Sequence, residues 1–190
     1  ELEINERINT ALRTVSSFSG LVQENMTRLA AWRFLELGRR LERAIGTTRL
    51  VQRFAAPGER GINAAESLDT LLELADSVIS YRQRYSITAT RISIVDLVAL
   101  DPNNPRSVAF QTSLLVEHLE ALTERSASDE PSDVLSQAIM LAAGMRAMRA
   151  GQLDGARLRD LNDSLLALSD SITRTYLVDR ARLARPVDPL

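Results

Sequence analysis

The chain has 190 residues, 45% hydrophobic and 4% aromatic, with 23 basic and 25 acidic side chains and a net charge of −2. That near balance argues against binding nucleic acid or a membrane surface through bulk charge, and no apolar run approaches the ~20 residues that span a bilayer. Every basic residue is Arg and there is no Cys, which removes disulfides, thiolate catalysis, Cys-based metal sites, a Schiff-base Lys and a P-loop Lys. No signal peptide is visible, and a cytoplasmic protein is expected. The chain begins at Glu1 rather than Met, so a piece of a longer protein is expected. Its length suits one domain, residues 1–190, burying roughly 70% of its unfolded surface.

Helical periodicity runs through the chain in order. A first helix is predicted over residues 2–18, with Ile4, Ile8, Leu12 and Val15 as its apolar stripe. A long second helix starts near Gln23 and stops before Pro57-Gly58. At about 100° per residue, Phe34, Leu37, Leu41, Ile45 and Thr48 share one side of it, extended by Met26, Ala30, Val51 and Ala55. Arg33, Glu36, Arg40 and Arg43 form a second stripe roughly 120° around. Glu36 and Arg40 stand at i, i+4, and Arg39 and Glu42 at i, i+3, both pairable spacings. Gly38 and Gly46 each cost the helix about 1 kcal/mol relative to Ala, a cost that close approach of another helix would offset.

Asn63-Ala64-Ala65-Glu66 has capping-box spacing and opens a third helix carrying Leu68, Leu71, Leu72, Ala75 and Ile79, reaching about Tyr85. A short helix covers residues 92–100. In the turn that follows, Asn104 fits an N-cap with Pro105 at the first helical position. That helix runs to about Glu124, a polar loop covers 126–129, and Pro131 opens another helix ending near Gly151. Asp154 caps a last helix on which Leu158, Leu161, Leu165, Leu168 and Ile172 repeat at 3-4-3-4 spacing, the pattern of helices packed at shallow angles. Arg185-Pro186 ends it. Nothing alternates with period two, so the fold class is all-α, an up-and-down bundle of about seven helices.

The candidate sites are charged. Arg33, Glu36, Arg39, Arg40, Glu42 and Arg43 read either as solvated pairs or as an ion-pair network that packs against other helices or a partner. Tyr81, Arg82, Arg84 and Tyr85 lie at a helix C-terminus, where cations complement the dipole; the alternative is a carboxylate clamp. Arg106 is expected to reach Asp96 or Asp101. His118 is the single His, without metal-ligand spacing, and is read as solvent-facing or capped. No metal or cofactor is called for. Leu and Met stripes are read as core.

Asn25-Met26-Thr27-Arg28 followed by Trp32-Arg33-Phe34-Leu35-x-Leu37-Gly38-Arg39-x-Leu41-Glu42-Arg43-Ala44 resembles the bacterial alpha-E family, named for a Glu-Arg motif on a helix; here the pair is Glu42-Arg43. Leu72-Glu73-Leu74-Ala75-Asp76-Ser77 with Tyr81-Arg82-x-Arg84-Tyr85 agrees, as do Asp96-Leu97 and Leu100-Asp101-Pro102-x-Asn104-Pro105-Arg106-Ser107. The blocks cover about the first 122 residues. Against the family pattern, an N-terminal portion with an earlier Glu-Arg helix is missing, and Ala31 stands where Gly often precedes the Trp.

The resemblance implies a helical domain encoded beside, or fused behind, a circularly permuted ATP-grasp domain, and so company with ATP-dependent carboxylate–amine ligation. Three functions follow as expectations. The first is a non-catalytic accessory module for such a ligase. The second is an enzyme domain contributing Glu36, Glu42, Arg43, Arg82 and Arg106 to peptide bond formation or hydrolysis, which requires those side chains to converge. The third is a homo-oligomerising bundle.

Overall fold

The computed structural model of the chain describes residues 2–55, 64–85, 88–123 and 132–178. The expected stop at Pro57-Gly58, the cap at Asn63, the loop at 126–129, Pro131 and Arg185-Pro186 lie outside the described residues. Among those described, all regular structure is helical, as the periodicity requires. Residues 1–35 and 36–190 form two compact units, and the boundary falls inside one long helix.

In the first unit, helix α1 covers Leu2–Asn25, seven residues beyond its predicted end. Nothing in Ser19–Asn25 breaks a helix except Gly20, which the helix tolerates. Thr10 and Thr14 turn their hydroxyls back onto the carbonyls of Glu6 and Thr10, at 2.8 and 2.9 Å. The expected apolar stripe is present, but Ile4, Ile8, Leu12 and Val15 are each more than half exposed. The helix closes where the Asn25 amide donates to the Leu21 carbonyl at 3.1 Å. After it, the Arg28 guanidinium sits 4.5 Å over the Trp32 ring, with Arg33 at 5.9 Å, a pair of cation–π contacts.

Helix α2 spans Ala30–Ala55, starting later than Gln23 because residues 26–29 form a turn. Its buried face is the predicted one: Leu37, Leu41, Ile45, Thr48, Val51 and Ala55, joined by Ala44. Phe34 is half-buried. Neither Gly38 nor Gly46 has an atom within 4 Å of where a Cβ would stand. The expected close approach of another helix is therefore not made by the described residues.

The predicted third helix is two. Helix α3 (Ala64–Leu74) ends at Asp76, whose φ of 49° is left-handed, and α4 (Val78–Arg84) starts afresh. The Ser77 amide reaches back to the Leu72 carbonyl at 2.9 Å, closing the last turn as a C-terminal cap does. Asp is among the few non-Gly residues that accept this conformation. Helix α5 (Arg91–Val95) is capped by the Thr90 hydroxyl and widens into a π turn over Asp96–Leu100, whose Leu97, Val98 and Ala99 are buried.

Helix α6 is Val108–Thr123. Its start corrects the placement of the cap at Asn104: the Ser107 hydroxyl accepts from the Phe110 amide at 3.0 Å, while Asn104 is occupied inside the preceding turn. Helix α7 (Asp133–Ala147) is capped by Ser132, and α8 (Gly155–Ile172) by Asp154, whose carboxylate accepts from the Arg157 amide at 2.9 Å. Helix α6 packs along α7, and α7 along α8. Leu158, Leu161, Leu165, Leu168 and Ile172 are all buried, as their spacing requires.

One side chain ties distant parts together through backbone carbonyls, with no ion pair among the described residues. Arg91 donates to the carbonyls of Ala55, Ala150 and Leu153. The end of α2 and the turn before α8 are thus held by a single guanidinium. Partial burial lowers its pKa, offset by the nearby Asp154.

Candidate functional site: arginines around one buried glutamate

Glu36 is the acid around which the charged stripe of α2 is organised. It is 4% exposed, and a buried carboxylate must be paired and hydrogen-bonded to remain ionised. Arg39 reaches one carboxylate oxygen (Nη1 to Oε1, 2.8 Å) and Arg40 the other (Nη2 to Oε2, 2.9 Å). The second guanidinium is held again from α6, where the Gln111 Oε1 accepts from Arg40 Nη1 at 3.2 Å. Gln111 is itself buried and donates from its amide to the Pro105 carbonyl. The charged stripe of one helix is therefore registered against the turn that opens another.

That turn is locked from several directions. Asn104 donates to the Leu97 carbonyl at 2.9 Å and accepts from the Arg106 amide at 3.1 Å. The Thr47 hydroxyl on α2 donates to the Arg106 carbonyl at 3.3 Å. The Ser107 hydroxyl donates to the Asp101 carbonyl. The side chain of Arg106 pairs with Asp76, not with Asp96 or Asp101 as expected, because the left-handed turn at Asp76 sets that carboxylate beside it.

Arg43 completes the cluster. It lies one turn past Arg39 and Arg40 and one turn before Thr47, is exposed, and makes no hydrogen bond or ion pair to any described residue. Its pKa is lowered, first by partial burial and then by the like charges of Arg106, Arg40 and Arg39, with Glu36 acting the other way. Arg stays protonated regardless, so the shift reports partial burial first and crowding of positive charge second. Glu42, expected to pair with Arg39, is exposed and has no ion pair among the described residues. Its position on the helix turns it away from the buried face.

The second group of candidates is internal. Tyr81 is 3% exposed; its hydroxyl lies 2.7 Å from Ser93 Oγ and donates to the Thr88 carbonyl at 3.2 Å. Tyr85 stacks on it with centroids 5.0 Å apart and donates to Asp96 Oδ2 at 2.7 Å. Burial first, then that hydrogen bond to Asp96, pushes the Tyr85 phenol up to about 12. Arg84 pairs with buried Asp101 and lies 5.6 Å over the Tyr85 ring. These residues fasten α4 to the α5 segment. Arg82 is exposed and lines a separate recess with Glu73, Asp69 and Ala89. Thr47 holds the Arg106 backbone one turn beyond Arg43 on α2, whereas Arg82 lies apart in its own recess and Glu42 faces outward.

His118 is 5% exposed on α6, not solvent-facing. Among the described residues no group of three or more His, Asp or Glu is placed to hold a metal ion, and no helix is long and apolar enough to cross a membrane. A cavity of about 550 Å³ opens between α7 and α8, lined by Met140, Met145, Met148 and Leu168 with Arg157 and Asp160 beside them. Sequence reading assigned the methionines to the core, yet Met140 is exposed.

The site and fold define an all-α domain organised by Arg–carboxylate contacts. The chain belongs to the Alpha-E family, described as a predicted alpha-helical domain with a conserved ER motif, which matches residues 1–177. It is similar to the uncharacterized proteins Rv2567 of Mycobacterium tuberculosis and Mb2597 of Mycobacterium bovis, at 26% identity over 166 residues. Each match covers 80% of this chain and 19% of the relative, so the chain spans about a fifth of the length of those proteins. No solved structure matches it.

Proposed function

We propose that this domain is a non-catalytic helical interaction module serving an ATP-grasp-type carboxylate–amine ligase. The observation that carries the reading is the division of labour on α2. Glu36, Arg39 and Arg40 are engaged in one ion-pair network within α2, tied to α6 where Arg40 meets Gln111, whereas Glu42 and Arg43 of the Glu-Arg pair face outward. Outward charges next to a network already engaged within the domain suit recognition of a partner, since charge complementarity mainly sets specificity and on-rate. The ligase partner itself is what the family resemblance implies. The match to a fifth of much longer relatives suits a module that works beside other domains, and a cytoplasmic setting suits ATP-dependent chemistry.

The test is association of the domain with the ATP-grasp protein encoded with it, followed by ligase turnover. Reversing both outward charges, Glu42→Arg with Arg43→Glu, should weaken association while circular dichroism stays unchanged. If the ligase binds and turns over equally well without the domain, the reading fails. A second copy of the chain is a further proposed partner, favoured by the exposed stripe of α1; light scattering that finds only monomer at all concentrations would end that proposal.

A further inference from the structure

The geometry points to a binding site for one oxyanion, a carboxylate or a phosphate, formed by Arg43 and Arg106 and backed by Arg39 and Arg40. It deepens the docking role proposed above by naming the group the partner or its substrate would present.

Arg39, Arg40 and Arg43 share this face of α2, and the Thr47 hydroxyl sets the Arg106 backbone beside it; among the described residues Glu36 and Asp76 are seen to pair with these arginines. Glu36 is spent: each of its oxygens already accepts from one Arg. Asp76 answers Arg106, but its side chain is 73% exposed, so the pair is solvent-screened and readily exchanged. Arg43 is crowded by the like charges of Arg106, Arg40 and Arg39. Arg43 brings a full set of donors with no protein acceptor among the described residues. Like charges packed this way cost the fold stability, and a bound anion would relieve that cost.

The backbone is also prepared. Thr47 and Asn104 hold Arg106 through its carbonyl and its amide, and Gln111 with Glu36 fixes Arg40. Arg43 stands one turn before Thr47 on the same face, about 6 Å away along the helix. An incoming oxyanion therefore meets guanidinium groups whose backbones are already placed. Guanidinium forks bind carboxylate and phosphate bidentately. A cation would meet the like charges that already crowd Arg43.

The experiment titrates the folded chain at low ionic strength with inorganic phosphate and, separately, with succinate, reading calorimetry and the arginine Nε–Hε signals by NMR. Saturable binding is expected, weakened about tenfold or more in Arg43→Gln and in Arg106→Gln, less in Arg43→Lys, and unchanged in the remote Arg159→Gln. Saturation by succinate alone assigns an acidic group; saturation by phosphate alone assigns a phosphorylated one. Absence of saturation with both anions overturns the site. So does equal loss in Arg159→Gln, which would mean diffuse attraction, or unchanged binding in Arg43→Gln with a native spectrum. Failure of ligase association would leave these titrations untouched, so the two readings fail separately.

Discussion

Glu36 and Arg40 stand one helical turn apart, joined at 2.9 Å, and the same Arg40 is grasped across the core by Gln111 at 3.2 Å. A local pair that isolated helices value at a few tenths of a kcal/mol thereby becomes a tertiary contact. Replacing Glu36 by Gln should destabilise the domain by about 2–3 kcal/mol, because two guanidinium groups lose the charge that compensates their partial burial. Urea denaturation read by circular dichroism measures it. Glu42→Gln, on the exposed side of the same helix, should change stability by less than about 0.5 kcal/mol.

Position 91 separates charge from shape. Arg91→Lys keeps the positive charge but cannot span three carbonyls as a planar fork does. A loss of about 1–3 kcal/mol is expected from the same denaturation experiment. A lysine variant as stable as the parent would show that charge alone holds the end of α2.

Gly38 and Gly46 lie in open space on the exposed face of α2. Changing either to Ala should raise stability by roughly 0.5–1 kcal/mol, since nothing opposes the methyl group and the unfolded chain loses freedom. A drop in melting temperature for Gly38→Ala would mean that this face is covered.

Alkaline titration tests the tyrosine pair. The Tyr85 phenol has a folded-state pKa of about 12, above its unfolded value near 10. Between those values the folded protein holds a proton the unfolded chain has released, so stability falls as pH rises through that window. Below about pH 10 the contribution is fully present. Tyr85→Phe should flatten the loss of stability between pH 10 and 12, and one late phenolate transition should vanish from the absorbance titration.

Periodic features were readable in advance, and features made by distant backbone were not. The leucine stripe of α8 and its Asp154 cap follow from spacing and one capping residue, both local. The break at Asp76 was hidden because Leu72, Ala75 and Ile79 keep helical spacing across it; after the turn Ile79 is 74% exposed. The cap of α6 was placed at Asn104 because Asn-Pro is a strong start signal, yet both ends of that amide are used within the turn, leaving Ser107 to cap. In the charged stripe, Arg39 has acids at both i−3 and i+3. Tertiary contacts of α2, among them Arg40 with Gln111, accompany the burial of Glu36 rather than Glu42, and spacing alone does not reveal them. Arg91 gave no signal, since its acceptors are carbonyls 36 and 62 residues away.

Those separations set an order of events. The guanidinium of Arg91 can find all three acceptors only after α2 has finished, α5 has docked and the chain has returned to the turn before α8. Closing such long loops is an entropic toll met before any reward. The bolt should therefore slide home after the folding barrier, and weakening it should hasten unfolding while leaving the refolding rate nearly untouched.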